Sequence, residues 1–248
     1  MEMMAATKER AIEIRGLTKS FSNHLALGGI DLTVETGKTL AIFGPNGAGK
    51  TTLIKILASI MKPTAGEVYI NGLDLNHNAE DIRSQIGIVS HQTFLYNNLT
   101  SYENLLFYCR MYDVADFKQR ICQVISMVGM QSRLHDRIST LSRGMQQRLS
   151  IARCLLHKPS IILLDEPETG LDQQAISMLW GALKEDGTIK RTIVFTSHSL
   201  ERGLNACDNL IILNKGKIAH QQPSMDLDLA GLKKAYQNCT GTGNENTE

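Results

Sequence analysis

Several things are scarce or missing in this 248-residue chain, and each absence removes a class of function. There is no excess of either charge: 26 Lys and Arg stand against 25 Asp and Glu, a formal net charge of +1. General binders of nucleic acid or other polyanions carry a basic surface, so no nucleic-acid partner is expected. No apolar run approaches the roughly 20 residues that a helix needs to cross a bilayer, so the chain is not expected to cross a membrane by itself. Residues 1–10 mix Met, Ala, Lys and Glu without a continuous apolar stretch, and the expectation is a cytosolic protein with no secretory leader. The five cysteines, Cys109, Cys122, Cys154, Cys207 and Cys239, include no CxxC pair, which fits neither a zinc site nor a disulfide framework. Reduced, mostly buried thiols are predicted. What is present is a 42% hydrophobic content, enough for a substantial core and against disorder as the main state.

The order of short apolar runs predicts the architecture. Residues 11–14 and 30–34 alternate apolar and polar with period two, as half-buried strands do, and predict a small antiparallel sheet. Residues 39–43 form a β-prone run that ends in a Gly-rich turn, and residues 50–61 have helical composition and stop before Pro63. Residues 68–70 and 86–89 supply further strands. Residues 100–157 lack strand patterning and read as several helices, after which strands at 161–164, 192–196 and 210–213 alternate with helical stretches at 173–184 and 200–206. This alternation predicts an α/β protein with a mainly parallel core sheet, an N-terminal antiparallel β subdomain and a helical insert. One domain over residues 1–238 is expected, with the helical subdomain at about 93–157. The tail at 239–248 has no apolar residue after Cys239 and reads as disordered.

Chemistry enters with Gly44, Pro45, Asn46, Gly47, Ala48, Gly49, Lys50, Thr51 and Thr52, which satisfy GxxxxGK[ST] between a predicted strand and a predicted helix. Glycines there let successive N–H groups curl around a phosphate, Lys50 reaches the outer phosphates, and the Thr51 hydroxyl is offered to Mg²⁺. A nucleoside triphosphate such as ATP is the substrate class this loop selects. The second signal is the apolar run 161–164 ending in Asp165, Glu166 and Pro167. Strand ends of a parallel sheet are where ligands bind, which places Asp165 to hold Mg²⁺ and Glu166 to polarise an attacking water as general base.

A phosphate loop alone admits kinases, GTPases and many ATPases. The deciding segment is Leu141, Ser142, Arg143, Gly144, Met145, Gln146, Gln147 and Arg148, where Ser142 is a good helix N-cap and Met145, Leu149, Ala152 and Leu156 form an apolar stripe. This segment resembles the LSGGQ signature of ABC transporter ATP-binding subunits, and the resemblance covers about residues 10–220. Arg143 and Met145 depart from the commonest Gly and Gln of that signature; because a backbone N–H and the serine make the contact, such changes are expected to be tolerated.

The resemblance implies roles for further residues. Phe21 is similar to the aromatic that stacks on adenine, Gln92 to the glutamine that contacts Mg²⁺ and the attacking water, Leu171 and Asp172 to a loop that crosses the dimer interface, and His198 to the histidine on the γ-phosphate. Taken alone, a His after a strand or a surface Gln would mean nothing. It also implies a head-to-tail dimer with an identical or homologous ATPase. In that dimer Ser142 and the Gly144 backbone meet the γ-phosphate held by the opposite subunit, and separate membrane-spanning subunits dock the pair on the inner face of the membrane. Residues 94–112 hold six of the chain's aromatics, which fits both an insert core and a surface for a membrane partner. The phrase at 95–108, together with residues 142–148, resembles the haem-exporter ATPase of cytochrome c maturation, but drug, lipid or polysaccharide exporter subunits carry similar text, and a soluble ABC-type ATPase acting on ribosomes or DNA is the alternative to a transporter. The length predicts one cassette and no second.

Overall fold

The computed structural model describes residues 9–90, 92–168, 173–184 and 191–241. The chain divides into two compact units, residues 1–82 with 192–248 and residues 83–191. The division falls within helix α2, Ala79–Gln85, and not at the edges of the expected helical insert, because strands on either side of that insert belong with it.

In the first unit, β1 (Arg10–Phe21) and β2 (His24–Glu35) form an antiparallel hairpin. β4 (Ala65–Ile70) adds antiparallel to the other edge of β1 and is followed by β5 (Leu73–Asp74), giving the order β2-β1-β4-β5. Asn71 and Gly72 turn the chain with φ of 47° and 79°, the pair of left-handed residues that a two-residue hairpin turn demands. Ile12, Ile14, Ile30, Leu32 and Val34 are buried by the alternation read from the sequence.

The same unit carries the strand order β10-β9-β3-β8. β3 (Thr39–Phe43) lies between two parallel neighbours, β8 (Thr192–Thr196) and β9 (Asn209–Asn214). Being covered on both faces, its last four residues are all buried, which is why they read as a continuous apolar run. β10 (Lys217–Pro223) runs antiparallel to β9 and makes the sheet mixed. The cause is local: Lys215 and Gly216 both have positive φ and close a two-residue turn, too short for the crossover a parallel strand needs. No sequence signal marked β10, because none of its residues is buried.

Helix α1 is shorter than its composition suggests, Lys50–Leu57 instead of 50–61. Ser59 takes a left-handed φ of 56°, and the N–H groups of Ile60 and Met61 turn back to the Lys55 carbonyl, which ends the helix before Pro63. α7 (Leu200–Ala206) packs on β3, and Gly203 allows it: a Cβ there would stand 2.4 Å from the Phe43 ring. α8 (Leu229–Thr240) ends at Gly241, φ 72°, so Cys239 and Thr240, read as tail, are helical. Residues 242–248 lie outside the described residues.

The second unit holds the parallel pair β6 (Ile86–Val89) and β7 (Ile161–Leu164) with four helices, α3 (Ser101–Met111), α4 (Phe117–Met127), α5 (Arg143–Leu155) and α6 (Gln173–Lys184). α3 starts with a capping box in which the Thr100 hydroxyl accepts from Glu103 N–H and the Glu103 carboxylate accepts from Thr100 N–H. α5 buries Leu149, Ala152 and, just beyond its end, Leu156, while Met145 is half-exposed, so the expected stripe is seated along its C-terminal two turns. The buried Arg120 guanidinium donates to the carbonyls of Leu155 and Leu156, placing a cation on the negative end of α5. All five cysteines are free; Cys109 and Cys154 are buried, Cys207 and Cys239 are half-buried and Cys122 is exposed. Burial pushes the thiols of Cys109, Cys154 and Cys207 up to about 11, which keeps them protonated and unreactive.

Candidate functional site

The phosphate-loop residues follow directly from β3 and open α1. Gly44 has φ 148°, and a Cβ on it would lie 2.2 Å from the Leu213 carbonyl oxygen. Gly49, φ 103°, would press a Cβ to 2.7 Å from both the Ala26 carbonyl oxygen and Leu27 Cδ2. Gly47, φ 78°, has open space around it. Two glycines are thus required by close approach of backbone, and the third by conformation alone.

Gly49 is also the N-cap of α1 and has no side chain with which to cap the first N–H groups of that helix. This cradle fits a phosphate: amide hydrogens at a positive helix end, an exposed Thr51 and a half-buried Thr52 on the first turn. Lys50 is 6% exposed, and its ammonium donates to the carbonyls of Gly44 and Pro45 at 2.7 and 3.1 Å. These bonds curl the lysine over its own loop. Asn46 and Gly47 are exposed at the tip, Pro45 is half-buried, and Ala48 is buried with its N–H on the Pro45 carbonyl.

Phe21 closes β1 with its ring 43% exposed and the Lys19 ammonium 5.1 Å from the ring centre, an available apolar face beside a cation. His198 is exposed just after β8. Its neighbours are tightly folded: the Ser197 hydroxyl accepts from Ser199 N–H and donates to the Ser199 carbonyl, and Ser199 in turn caps α7.

In the second unit, β7 is completely buried and delivers Asp165, 8% exposed, at its C-terminal end. Asp165 N–H donates to the Val89 carbonyl, which continues the β6–β7 ladder one step beyond the strands. Glu166 then adopts φ 51°, a left-handed conformation that costs a non-glycine residue about 1–2 kcal/mol. The turn takes Glu166 out of the alternation of the strand before it.

Glu166 and Gln92 line one cleft of about 610 Å³ together with Arg143, Gln146 and Gln147 of α5 and Thr93, Phe94, Leu95 and Asn97. In the sequence Arg143 stands out only as a departure from a signature, and Gln146 and Gln147 only as letters of it. Their signal lies in helical spacing: 143 and 147 are one turn apart on one face. Gln147 also donates weakly to the Pro167 carbonyl at 3.5 Å, tying α5 to the turn that carries Glu166. At the start of α5, the Ser142 hydroxyl accepts from Met145 N–H at 3.3 Å and remains exposed, with Gly144 half-buried beside it. Leu171 and Asp172 lie outside the described residues. Among the described residues no group of three His, Cys, Asp or Glu could hold a metal ion by itself.

Residues 27–169 match the ABC transporter family. The chain belongs to that family. Its relatives include the ABC transporter ATP-binding protein NatA of Bacillus subtilis, 34% identical over 79% of this chain and 81% of NatA. Another is the Nod factor export ATP-binding protein I of Rhizobium meliloti, 33% identical over 88% of this chain and 66% of that protein. Among solved structures, the ATP-binding subunit of an ABC transporter superposes with a TM-score of 0.84 at 27% identity, covering 92% and 99% of the two chains. A dimeric ATP-binding cassette bound to ADP and Pi, in a post-hydrolysis state, superposes with a TM-score of 0.78 at 29% identity, covering 86% and 98%. This ABC ATPase therefore has the P-loop NTPase fold expected of it, with its antiparallel β subdomain, mixed core sheet and helices.

Proposed function

We propose that this ABC ATPase is the ATP-hydrolysing subunit of a membrane exporter. The observation that carries the reading is the cleft shared by Glu166, Gln92 and the first turn of α5, because it groups a carboxylate, an amide and the signature helix around one space. In this reading the loop 44–52 receives the phosphates of ATP and Phe21 stacks on the base. Lys50 and His198 hold the γ-phosphate, and Glu166 accepts a proton from the attacking water as Gln92 orients it. Thr51, Gln92 and Asp165 are the residues that would hold Mg²⁺, which supplies neutralisation of phosphate charge when bound. Ser142 and Gly144 present the N-terminus of α5 to the nucleotide of a second ATPase, identical or homologous, so that ATP closes a head-to-tail dimer and hydrolysis reopens it.

No described helix is long and apolar enough to cross a membrane, so transport would use separate membrane-spanning subunits with this chain on their cytoplasmic side. Phe94, Tyr96, Phe107 and Met111 are large, apolar and exposed, and Tyr96 and Phe107 stack edge to face at 5.1 Å. Such a patch suits a helix from a membrane partner. The relatives named for Nod factor export support the outward direction. Haem as cargo rests on the wording of residues 95–108 and on nothing in those relatives.

The test is purification of the tagged full chain from membranes in mild detergent. A membrane protein with several spans should co-purify in fixed ratio and lose the chain when Phe107→Glu is introduced. Ribosomes in its place would overturn the transporter reading.

A further inference from the structure

The geometry points to Arg153 as a positioning residue that fixes the segment around Gln92 to the signature helix. Arg153 lies on α5 and is 5% exposed. Its Nη2 donates to the Ile88 carbonyl at 2.7 Å, and its guanidinium lies 5.4 Å from the Phe94 ring centre and 5.1 Å from that of Tyr108. The Tyr108 hydroxyl donates to the Phe94 carbonyl, so the second ring is itself bonded to the same turn. Nε has no hydrogen-bond partner among the described residues, which leaves one carbonyl and two aromatic faces to hold the group.

The consequence follows from positions along the chain. Ile88 lies four residues before Gln92 and Phe94 two after it, so a single side chain holds a backbone carbonyl on one side of the glutamine and an aromatic ring on the other. Phe94 has a left-handed φ of 55°, an unfavourable conformation for a non-glycine residue that the Arg153 and Tyr108 contacts offset. Ile88 pairs with Leu163, two residues before Asp165, so the same anchor reaches the strand that ends in the acids. Arg153 stands eleven residues from Ser142 on a continuous helix, a rigid arm of about 16 Å. A shift at the exposed Ser142 end is thereby transmitted to Gln92. Lysine could keep the charge but has no planar face for the two rings and only about three N–H donors in place of five.

This inference rests on the proposed hydrolytic function, and two readouts separate the two. ATP turnover of the purified full chain should fall about tenfold in kcat for Arg153→Met, the loss expected for one charge-assisted hydrogen bond, with KM for ATP changed less than about twofold. Tyr108→Phe should lower kcat about threefold, the loss of one neutral hydrogen bond, and Arg153→Lys should restore only part of the native rate. In a Gln92→Ala background all three should cost nothing further, because the residue they position is gone. Independently of turnover, amide exchange over residues 89–95 should speed up about tenfold in Arg153→Met. Additive losses, a change confined to KM, or unchanged exchange would overturn the role. If Arg153→Met does not fold, Arg153→Lys and Tyr108→Phe decide by the same two readouts. A native chain without turnover would defeat the proposed function, and exchange would then decide this inference alone.

Discussion

The phosphate loop of the first unit and the cleft of the second are built on different principles. The phosphate loop acts through backbone: Gly44 and Gly49 are glycines because carbonyls stand 2.2 and 2.7 Å from where a Cβ would be, and the groups offered to a ligand are amides at the start of α1. The second unit acts through side chains brought to one cleft, Glu166 from a strained turn after β7, Gln92 from the loop after β6, Arg143 and Gln147 from α5. Backbone chemistry leaves a strict imprint in sequence, since few residues other than glycine fit. Side-chain chemistry leaves a weak one, because glutamate and glutamine are common and only packing brings them together.

The contrast can be broken from its strong end. Glu166→Gln keeps the shape of the turn and removes the proposed base, so hydrolysis should fall by about 10²–10³-fold while ATP binding is retained. Full turnover by that variant would remove Glu166 from the proposed role. On the backbone side, Gly44→Ala and Gly47→Ala separate crowding from conformation. The first meets the Leu213 carbonyl and should cost about 3 kcal/mol or more along with nucleotide binding, while the second, in open space, should cost only about 1 kcal/mol. Chemical denaturation of both with and without ATP measures the difference; equal losses would show that close approach is not what selects Gly44.

A subtler difference concerns acid. His157 stacks on Tyr112 at 4.0 Å and bonds the Ile86 carbonyl through Nε2, so Nε2 carries the proton and Nδ1 is buried without a partner. Burial pushes its pKa down from 6.5 to about 4. The unfolded chain binds a proton near pH 6.5 and the folded chain does not until about 4, so stability is complete above 6.5 and is lost as pH falls through that window. The loss should be on the order of 3 kcal/mol by pH 4. Urea midpoints from pH 7.5 to 4.5 should therefore slope, and His157→Gln should flatten the slope; an equal slope in the variant would assign it to other groups. The smallest expected effect is Ser142→Ala, which removes the α5 cap at a cost of about 1 kcal/mol. If it also abolishes ATP-dependent dimerisation, seen by light scattering, the serine contacts the partner's nucleotide as proposed. Unchanged dimerisation would confine it to capping.

Much of the fold was legible. The period-two runs at β1 and β2, the continuous apolar runs at β3 and β7, and the helical composition of 100–157 correspond to observed elements because burial of one face or both imposes those periods directly. The end of α1 and the strand β10 were not legible, because Ser59 and the pair Lys215 and Gly216 act through φ, to which hydrophobic patterning is blind. Of the site, the loop 44–52 stood out from its letters, and Ser142 from its place before an apolar stripe. Arg153 gave no signal: an arginine on a helix reads as solvent-facing, and this one is buried against a carbonyl and two rings.

The sequence by itself determined the phosphate loop, the strand that carries Asp165 and the family to which the chain belongs, since those features depend on residues adjacent in the chain. Only the tertiary structure decided that Glu166 turns into the space lined by Gln92 and Arg143, and that Arg153 clamps the turn beside it. Residues separated by as many as 74 positions meet in that cleft because β6 and β7 pair in parallel, and a pairing between distant strands is written in no local pattern.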